Sequence, residues 1–411
     1  MKKVKILMLL TLLSLVIAGC CHSVQTFYYR MAAPPAGEGG IGFYEPSPSD
    51  ATLENVAGDD VRNVIVCIGD GMGFNHVALS RHYGAGDDKK LYMELAPIQG
   101  KMTTYPANSD VTDSAASGTA IACGIKTNNG MIGMAPDKTP YYSILESLGQ
   151  KGWRTGLVVT ASVSHATPAV FASHVESRNN QEEIALQEFG NRVDVLLGGG
   201  RKFWKDQTLT EAAADGYQVI ENRDQLMSLQ PEPVIGLFAD DGMTTFAPEP
   251  SLAEMAATAI SILSSKNTEW FAPKPKFFLM IEGSQIDWAA HANDTDRMVR
   301  QTLLFDMAVH QAIEFAKQDG HTLVIITADH ETGGLKLHED PDSETGIDVK
   351  WTSGTHTKTK VPVFAYGPGA EKFAGTLDNT DISKRIAELT GVKDFPKAKT
   401  TVTQEQETAT K

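Results

Sequence analysis

Apolar runs set the framework of this chain. Residues 64–68, 153–159, 193–197, 276–281, 321–327 and 361–366 are largely hydrophobic, the pattern of strands buried on both faces of a parallel sheet. Between them the apolar period lengthens to that of helices. Residues 252–263 are amphipathic, and a long helix starts at Asp294 or Thr295 and runs to residue 317 with Met298, Val299, Leu303 and Ile313 on one face. A terminal helix is expected near residues 382–389, and others after Gly73 and at Ser114, where Asp113-Ser114 reads as a helix start ahead of the small residues Ala115 to Ala120. Strands alternating with helices predict an α/β fold, a three-layer α/β/α sandwich around a mainly parallel sheet. Residues 205–250 are mixed and turn-rich, and residues 331–355 read as a polar connection.

The ends of the chain follow other rules. Lys2, Lys3 and Lys5 precede an uncharged run over residues 6–18, too short to span a bilayer and fitting a secretory signal. The run ends Ile17-Ala18-Gly19-Cys20, which resembles a lipoprotein cleavage box. Cys20 is therefore expected to carry lipid on an exported protein, periplasmic or at the cell surface; a plain signal peptide cut near Ala18 or Gly19 is the alternative. Residues 21–60 are rich in Pro, Gly and Ser and read as a flexible tether, although Phe27, Tyr28, Tyr29, Phe43 and Tyr44 could dock as an arm. One catalytic domain is expected over residues 61–395, followed by a disordered tail over 396–411. Cys67 and Cys123 read as core thiols outside any disulfide framework. A net charge of −15 argues against a nucleic-acid surface, so an anionic substrate would need local cations, from arginine or from metal.

The chemistry collects where apolar runs end. Asp70 follows one strand in Gly69-Asp70-Gly71-Met72-Gly73, a spacing that fits neither common glycine-rich phosphate loop. Glu282, Asp287 and His291 follow a second, and Asp329-His330 a third. Parallel strands deliver their carboxyl ends to one side of a sheet, so these residues can converge. Asp287 and His291 are one helical turn apart and can face one ion. Mixed imidazole and carboxylate ligands suit zinc, and an all-oxygen set including Thr167 suits magnesium. Each pattern alone is an ordinary turn or cap; their coincidence is what points to a metal centre.

Residues 63–73, 112–133, 160–178, 194–204, 282–291, 327–335 and 354–367 resemble, in order, the successive signatures of the alkaline phosphatases. The resemblance implies that Ser114 is the nucleophile and that Arg178 clamps phosphate oxygens. It implies one zinc on Asp287, His291 and His356, a second on Asp70, Asp329 and His330, and magnesium on Asp70, Thr167 and Glu282. Asp113, His165 and Trp288 would stand around these ligands or the substrate. His165 occupies a place where many members have Asp, which leaves the occupancy and identity of the third metal open; Trp288 occupies one where some have Lys or His, either packing beside the cleft or shaping phosphate affinity. A small phosphomonoester as substrate and a homodimer are implied as well. The rival readings are a phosphodiesterase or related hydrolase of the same superfamily and a non-catalytic metal-binding surface lipoprotein. Asp113-Ser114-Ala115 together with Arg178 favours monoesters, and the short connection over 331–355 suggests an open cleft.

Overall fold

The computed structural model describes residues 32–35, 40–48, 51–56, 58, 60–86, 88–265, 275–342 and 346–400. Its strands are β1 (Asn63–Gly69), β2 (Ile98–Thr103), β3 (Arg154–Ser162), β4 (Val195–Gly199), β5 (Gln218–Ile220), β6 (Val234–Leu237), β7 (Phe277–Gly283), β8 (Thr322–Thr327), β9 (Glu331–Thr332), β10 (Lys336–Glu339), β11 (Ile347–Lys350), β12 (His356–Thr357), β13 (Val361–Tyr366) and β14 (Gly375–Asp378). Ten of them form one sheet in the order β14-β2-β13-β8-β1-β7-β3-β4-β6-β5. Only β13 runs against its neighbours, β2 and β8. The expected mainly parallel sandwich is what forms.

Register explains why the sheet makes a site. In the centre, Gly69 lies opposite Gly283 and Ile68 opposite Thr327, so β1, β7 and β8 end at nearly one level. The next residues out are Asp70, Ser284 and Ala328-Asp329. Every residue of these three strands is buried, as their apolar centres require, with Asn63, Glu282, Thr322 and Thr327 as the polar residues at their ends. Helices cover the sheet in two groups, one built on Leu252–Ser264 and Thr295–Asp319, the other on Ser114–Cys123, Ile144–Gly149, Ala166–Ala172 and Asp381–Thr390. The long helix begins where Asp294 accepts the N–H of Arg297 and ends at Gly320 in the left-handed conformation.

Three regions depart from expectation. Residues 205–250 hold β5, β6 and the helices Asp206–Ala214 and Arg223–Met227, which extend one edge of the sheet. The connection over 331–355 is folded as well, since β9 pairs with β12 and β10 with β11.

The third departure is at the ends, which are docked wherever they are described. Tyr44 is buried with its hydroxyl donating to Asp306 at 2.6 Å, Ser47 donates to the Lys90 carbonyl, and the Pro34 carbonyl accepts from Ala247 N–H. This stretch of the expected tether is therefore an arm, because Tyr44 has both an apolar pocket and a buried carboxylate to satisfy. Likewise residues 397–399 are not a free tail. They bridge to Tyr141, exchanging backbone hydrogen bonds with Tyr142 and Pro140. The expected signal segment with Cys20, the aromatics Phe27, Tyr28 and Tyr29, and residues 401–411 lie outside the described residues. Among the described residues no helix is long and apolar enough to cross a membrane, and Cys67 and Cys123 are buried free thiols.

Candidate active site

Ser114 is the first residue of its helix, and Asp113 caps it by accepting the N–H of Ala116 at 2.9 Å. A hydroxyl at a helix start points off the end of the helix, beside unsatisfied N–H groups. Small residues behind it allow close packing: a Cβ on Gly118 would lie 3.0 Å from Val170 on the helix Ala166–Ala172. The other carboxylate oxygen of Asp113 accepts from Gly130 N–H at 3.0 Å and from Arg178 Nη1 at 3.2 Å. One aspartate thus starts the serine helix and aims the arginine. Asn129 fixes Asp113 from the other side by accepting its N–H at 3.0 Å.

Hydrogen-bond bookkeeping then fixes the histidines. The Thr332 hydroxyl gives its single proton to Asp287, so toward His330 Nδ1, 3.2 Å away, it can only accept. His330 Nε2 therefore presents a lone pair. That lone pair faces Asp329 Oδ2 at 3.1 Å, Asp70 Oδ1 at 3.5 Å and Ser114 Oγ at 3.2 Å. His356 Nδ1 donates to the Thr112 carbonyl and His291 Nδ1 to the Gly354 carbonyl, each at 2.8 Å. Their Nε2 atoms meet at 3.0 Å, and Asp287 Oδ1 lies 3.3 Å from one and 3.5 Å from the other.

Two clusters of inward lone pairs are unstable without a positive centre. A tetrahedral zinc with bonds of about 2.0 Å sets its ligand atoms about 3.3 Å apart, and the separations here bracket that value. Both Asp70 oxygens and Asp329 Oδ2 are buried with no hydrogen-bond partner among the described residues. These donor sets fit zinc by chemistry as well as by spacing.

A third group lies beside Asp70. Ligand atoms of Asp70, His165 and Glu282 come within 4.8 Å of one another. Both Glu282 oxygens, Thr167 Oγ1 and His165 Nδ1 are buried without a well-formed hydrogen bond among the described residues, with the Ser284 and Thr167 hydroxyls near enough to Glu282 to act on its carboxyl. Arg178 Nη2 donates to His165 Nε2 at 3.3 Å, which leaves the proton of the neutral ring on Nδ1. The free oxygens of Asp70, Glu282 and Thr167 therefore remain the better ligands for a hard cation. Trp288 stands over this corner, edge-on to His165 at 6.2 Å and pressed against Gly242, where a Cβ would lie 2.4 Å from its ring.

The electrostatics carry the same message. Burial, with Asp329 adding to it, drives Asp70 well above the usual carboxylate range, and burial pushes Glu282 up to about 8. Burial lowers His330 and His165 to about 4. Asp287 is also buried, yet hydrogen bonds from His291 and His356 hold it low, while its bond raises His291 to about 9. Protons here do the work that cations would otherwise do.

All the expected ligands and the serine are thus brought together. What the sequence did not mark are Thr332, Gly130, Asn129 and the carbonyls of Thr112 and Gly354, which set tautomers and aim Arg178. A backbone carbonyl leaves no trace in residue identity, and Thr332 had only its place two residues after His330 to signal it.

Comparison with known proteins agrees with this geometry. The family model described as alkaline phosphatase matches residues 61–344 and 336–392. The chain is 36% identical to alkaline phosphatase 4 of Bacillus subtilis, over 80% of this chain and 89% of that one. The structure resembles that of alkaline phosphatase from the Antarctic bacterium TAB5, with a TM-score of 0.72, 34% identity and coverage of 80% of this chain and 98% of that chain. A variant of the TAB5 enzyme with one histidine changed to glutamate has magnesium bound in its M3 site, and this chain matches it with a TM-score of 0.71, 34% identity and the same coverage. With its family model spanning most of the chain and its strand ends meeting in this one cluster, the protein belongs to the alkaline phosphatase family and is a phosphomonoester hydrolase.

Proposed function

We propose that the chain hydrolyses phosphate monoesters through a phosphoserine at Ser114, with zinc on the Asp287–His291–His356 and Asp70–Asp329–His330 sets and magnesium on Asp70, Thr167 and Glu282. The observation that carries this reading is His330 Nε2, whose lone pair meets Ser114 Oγ, Asp70 and Asp329 at one point. When bound, such ions act as Lewis acids that favour the serine alkoxide and offset charge on phosphoryl oxygens.

The chain's own groups do the rest. Arg178, aimed by Asp113, takes two non-bridging oxygens of the ester in its planar fork, which orients phosphorus toward Ser114. Ser114 Oγ forms the new P–O bond as the ester oxygen leaves opposite it and picks up a proton as alcohol. Water then attacks the phosphoserine, breaking the bond to Oγ and returning the proton to Ser114. Two in-line inversions give net retention at phosphorus.

Release of p-nitrophenol from its phosphate monoester at alkaline pH, abolished by a chelator and restored by zinc with magnesium, is the expected result. Activity untouched by complete metal removal would overturn the metal reading, and faster turnover of the bis-ester than the monoester would favour a phosphodiesterase. The exported, lipid-anchored address remains a proposal resting on Ile17-Ala18-Gly19-Cys20, tested by a fatty-acid label on Cys20 that globomycin prevents. A homodimer is proposed from family membership alone, and the mass in solution decides it.

A further inference from the structure

Arg178 depends on a short segment, residues 130–133, that ties four parts of the molecule together. Gly130 accepts the N–H of Arg178 at 2.8 Å and donates its own to Asp113. Ile132 exchanges two backbone hydrogen bonds with Val175, and Gly133 N–H donates to Thr119 on the serine helix at 3.0 Å. The Gly133 carbonyl accepts twice, from Tyr141 N–H at 2.9 Å and from His174 Nδ1 at 2.8 Å. A Cβ on Gly133 would fall 2.3 Å from the Ser173 carbonyl oxygen, and its φ is +62°. Any slip of this segment moves both the backbone of Arg178 and the aspartate that aims its guanidinium.

The far side of that lock is the chain's end. His174 Nε2 lies 3.0 Å from Glu146, and Lys399 Nζ lies 2.9 Å from the same carboxylate oxygen. Ser143 N–H supplies a third donor at 2.9 Å. The Glu146 side chain is 5% exposed, and a carboxylate that buried needs each of its donors. Residues 397–399 are added as a short antiparallel strand to 140–142, with Tyr142 N–H on the Lys397 carbonyl and Lys399 N–H on the Pro140 carbonyl. The same stretch, at Tyr141, is bonded to Gly133. Lys399 lies beyond residue 392, where the match to the family model ends.

We infer that Lys399 is a positioning residue for the phosphate clamp: through Glu146 and His174 it fixes residues 130–133, and with them Arg178. The inference rests on the reading of Arg178 as that clamp. Lys399 touches neither substrate nor metal ligand. Its loss leaves the serine and the cation sites in place and loosens the grip on phosphate.

The test compares the full-length metal-loaded protein with Lys399→Met and Lys399→Arg. In Lys399→Met, KM for p-nitrophenyl phosphate and the dissociation constant of inorganic phosphate, measured by calorimetry without turnover, should rise together by about fivefold, the equivalent of an ion pair worth about 1 kcal/mol. The kcat and zinc content should stay near wild type, and Lys399→Arg should restore both constants. Unchanged phosphate binding in Lys399→Met, or a fall in melting temperature alone, would overturn the inference, as would failure of arginine to rescue. If the wild type turns over no monoester, the functional reading falls instead, and phosphate binding still decides the role of Lys399.

Discussion

Ser114 sits where two requirements meet, a helix start that leaves its hydroxyl outward and a neighbouring imidazole whose tautomer is set from behind by Thr332. Ser114→Ala should abolish turnover by orders of magnitude while zinc content, measured by elemental analysis, stays at the wild-type level, because no cation set is broken. In the proposed mechanism Arg178 grips phosphate in both the ground state and the transition state. Arg178→Lys keeps the charge and loses the fork, so steady-state kinetics should show a loss in kcat/KM worth about 1.5–3 kcal/mol. His165 is the residue that departs from an all-oxygen third site. In His165→Asp a carboxylate replaces a buried ring, so magnesium should bind more tightly by calorimetry and activity should gain a steeper magnesium dependence. An unchanged magnesium affinity would remove His165 from the third site's control.

At the scale of elements, the parts legible in the sequence are those with a one-dimensional signature. Runs such as residues 64–68 and 323–326 are apolar throughout because both faces are covered, and Asp70 and Asp329 could be placed together because parallel strands end on one side. Strand β2, between β13 and the edge strand β14, was not legible, since only Met102 in it is buried and Gly100 interrupts its short alternation. Residues 397–399 dock through backbone hydrogen bonds and one lysine, neither of which a Thr/Lys-rich composition reveals. Tyr44 is an element-scale anchor: Tyr44→Phe removes a donor from buried Asp306, and thermal unfolding should show a cost of about 1.5–3 kcal/mol. Glu188 offers the opposite test. It is fully buried on the helix Gln181–Gly190, has no hydrogen-bond partner among the described residues, and burial drives its carboxyl well above the usual range. The folded state then holds this proton more tightly than the unfolded chain, whose value is about 4.3, so stability is lost as pH rises from there toward the folded value. Glu188→Gln should therefore raise the melting temperature at alkaline pH and do little at about pH 4; equal gains at both would refute this assignment.

For the whole molecule, acidic side chains outnumber basic ones 51 to 36, and three of them at the strand ends, Asp70, Glu282 and Asp329, are fully buried. Such a centre makes fold and chemistry interdependent, because cations bound only in the native state stabilise it by mass action. A chelator should lower the melting temperature along with activity, and zinc with magnesium should restore both. The proposed route carries the phosphoryl group through Ser114. The most direct test is to quench the metal-loaded enzyme in acid during turnover of a phosphate monoester and map the modification by mass spectrometry. One phosphoryl group on Ser114, absent without substrate, is the predicted result; steady turnover with Ser114 unmodified and Ser114→Ala still active would contradict it.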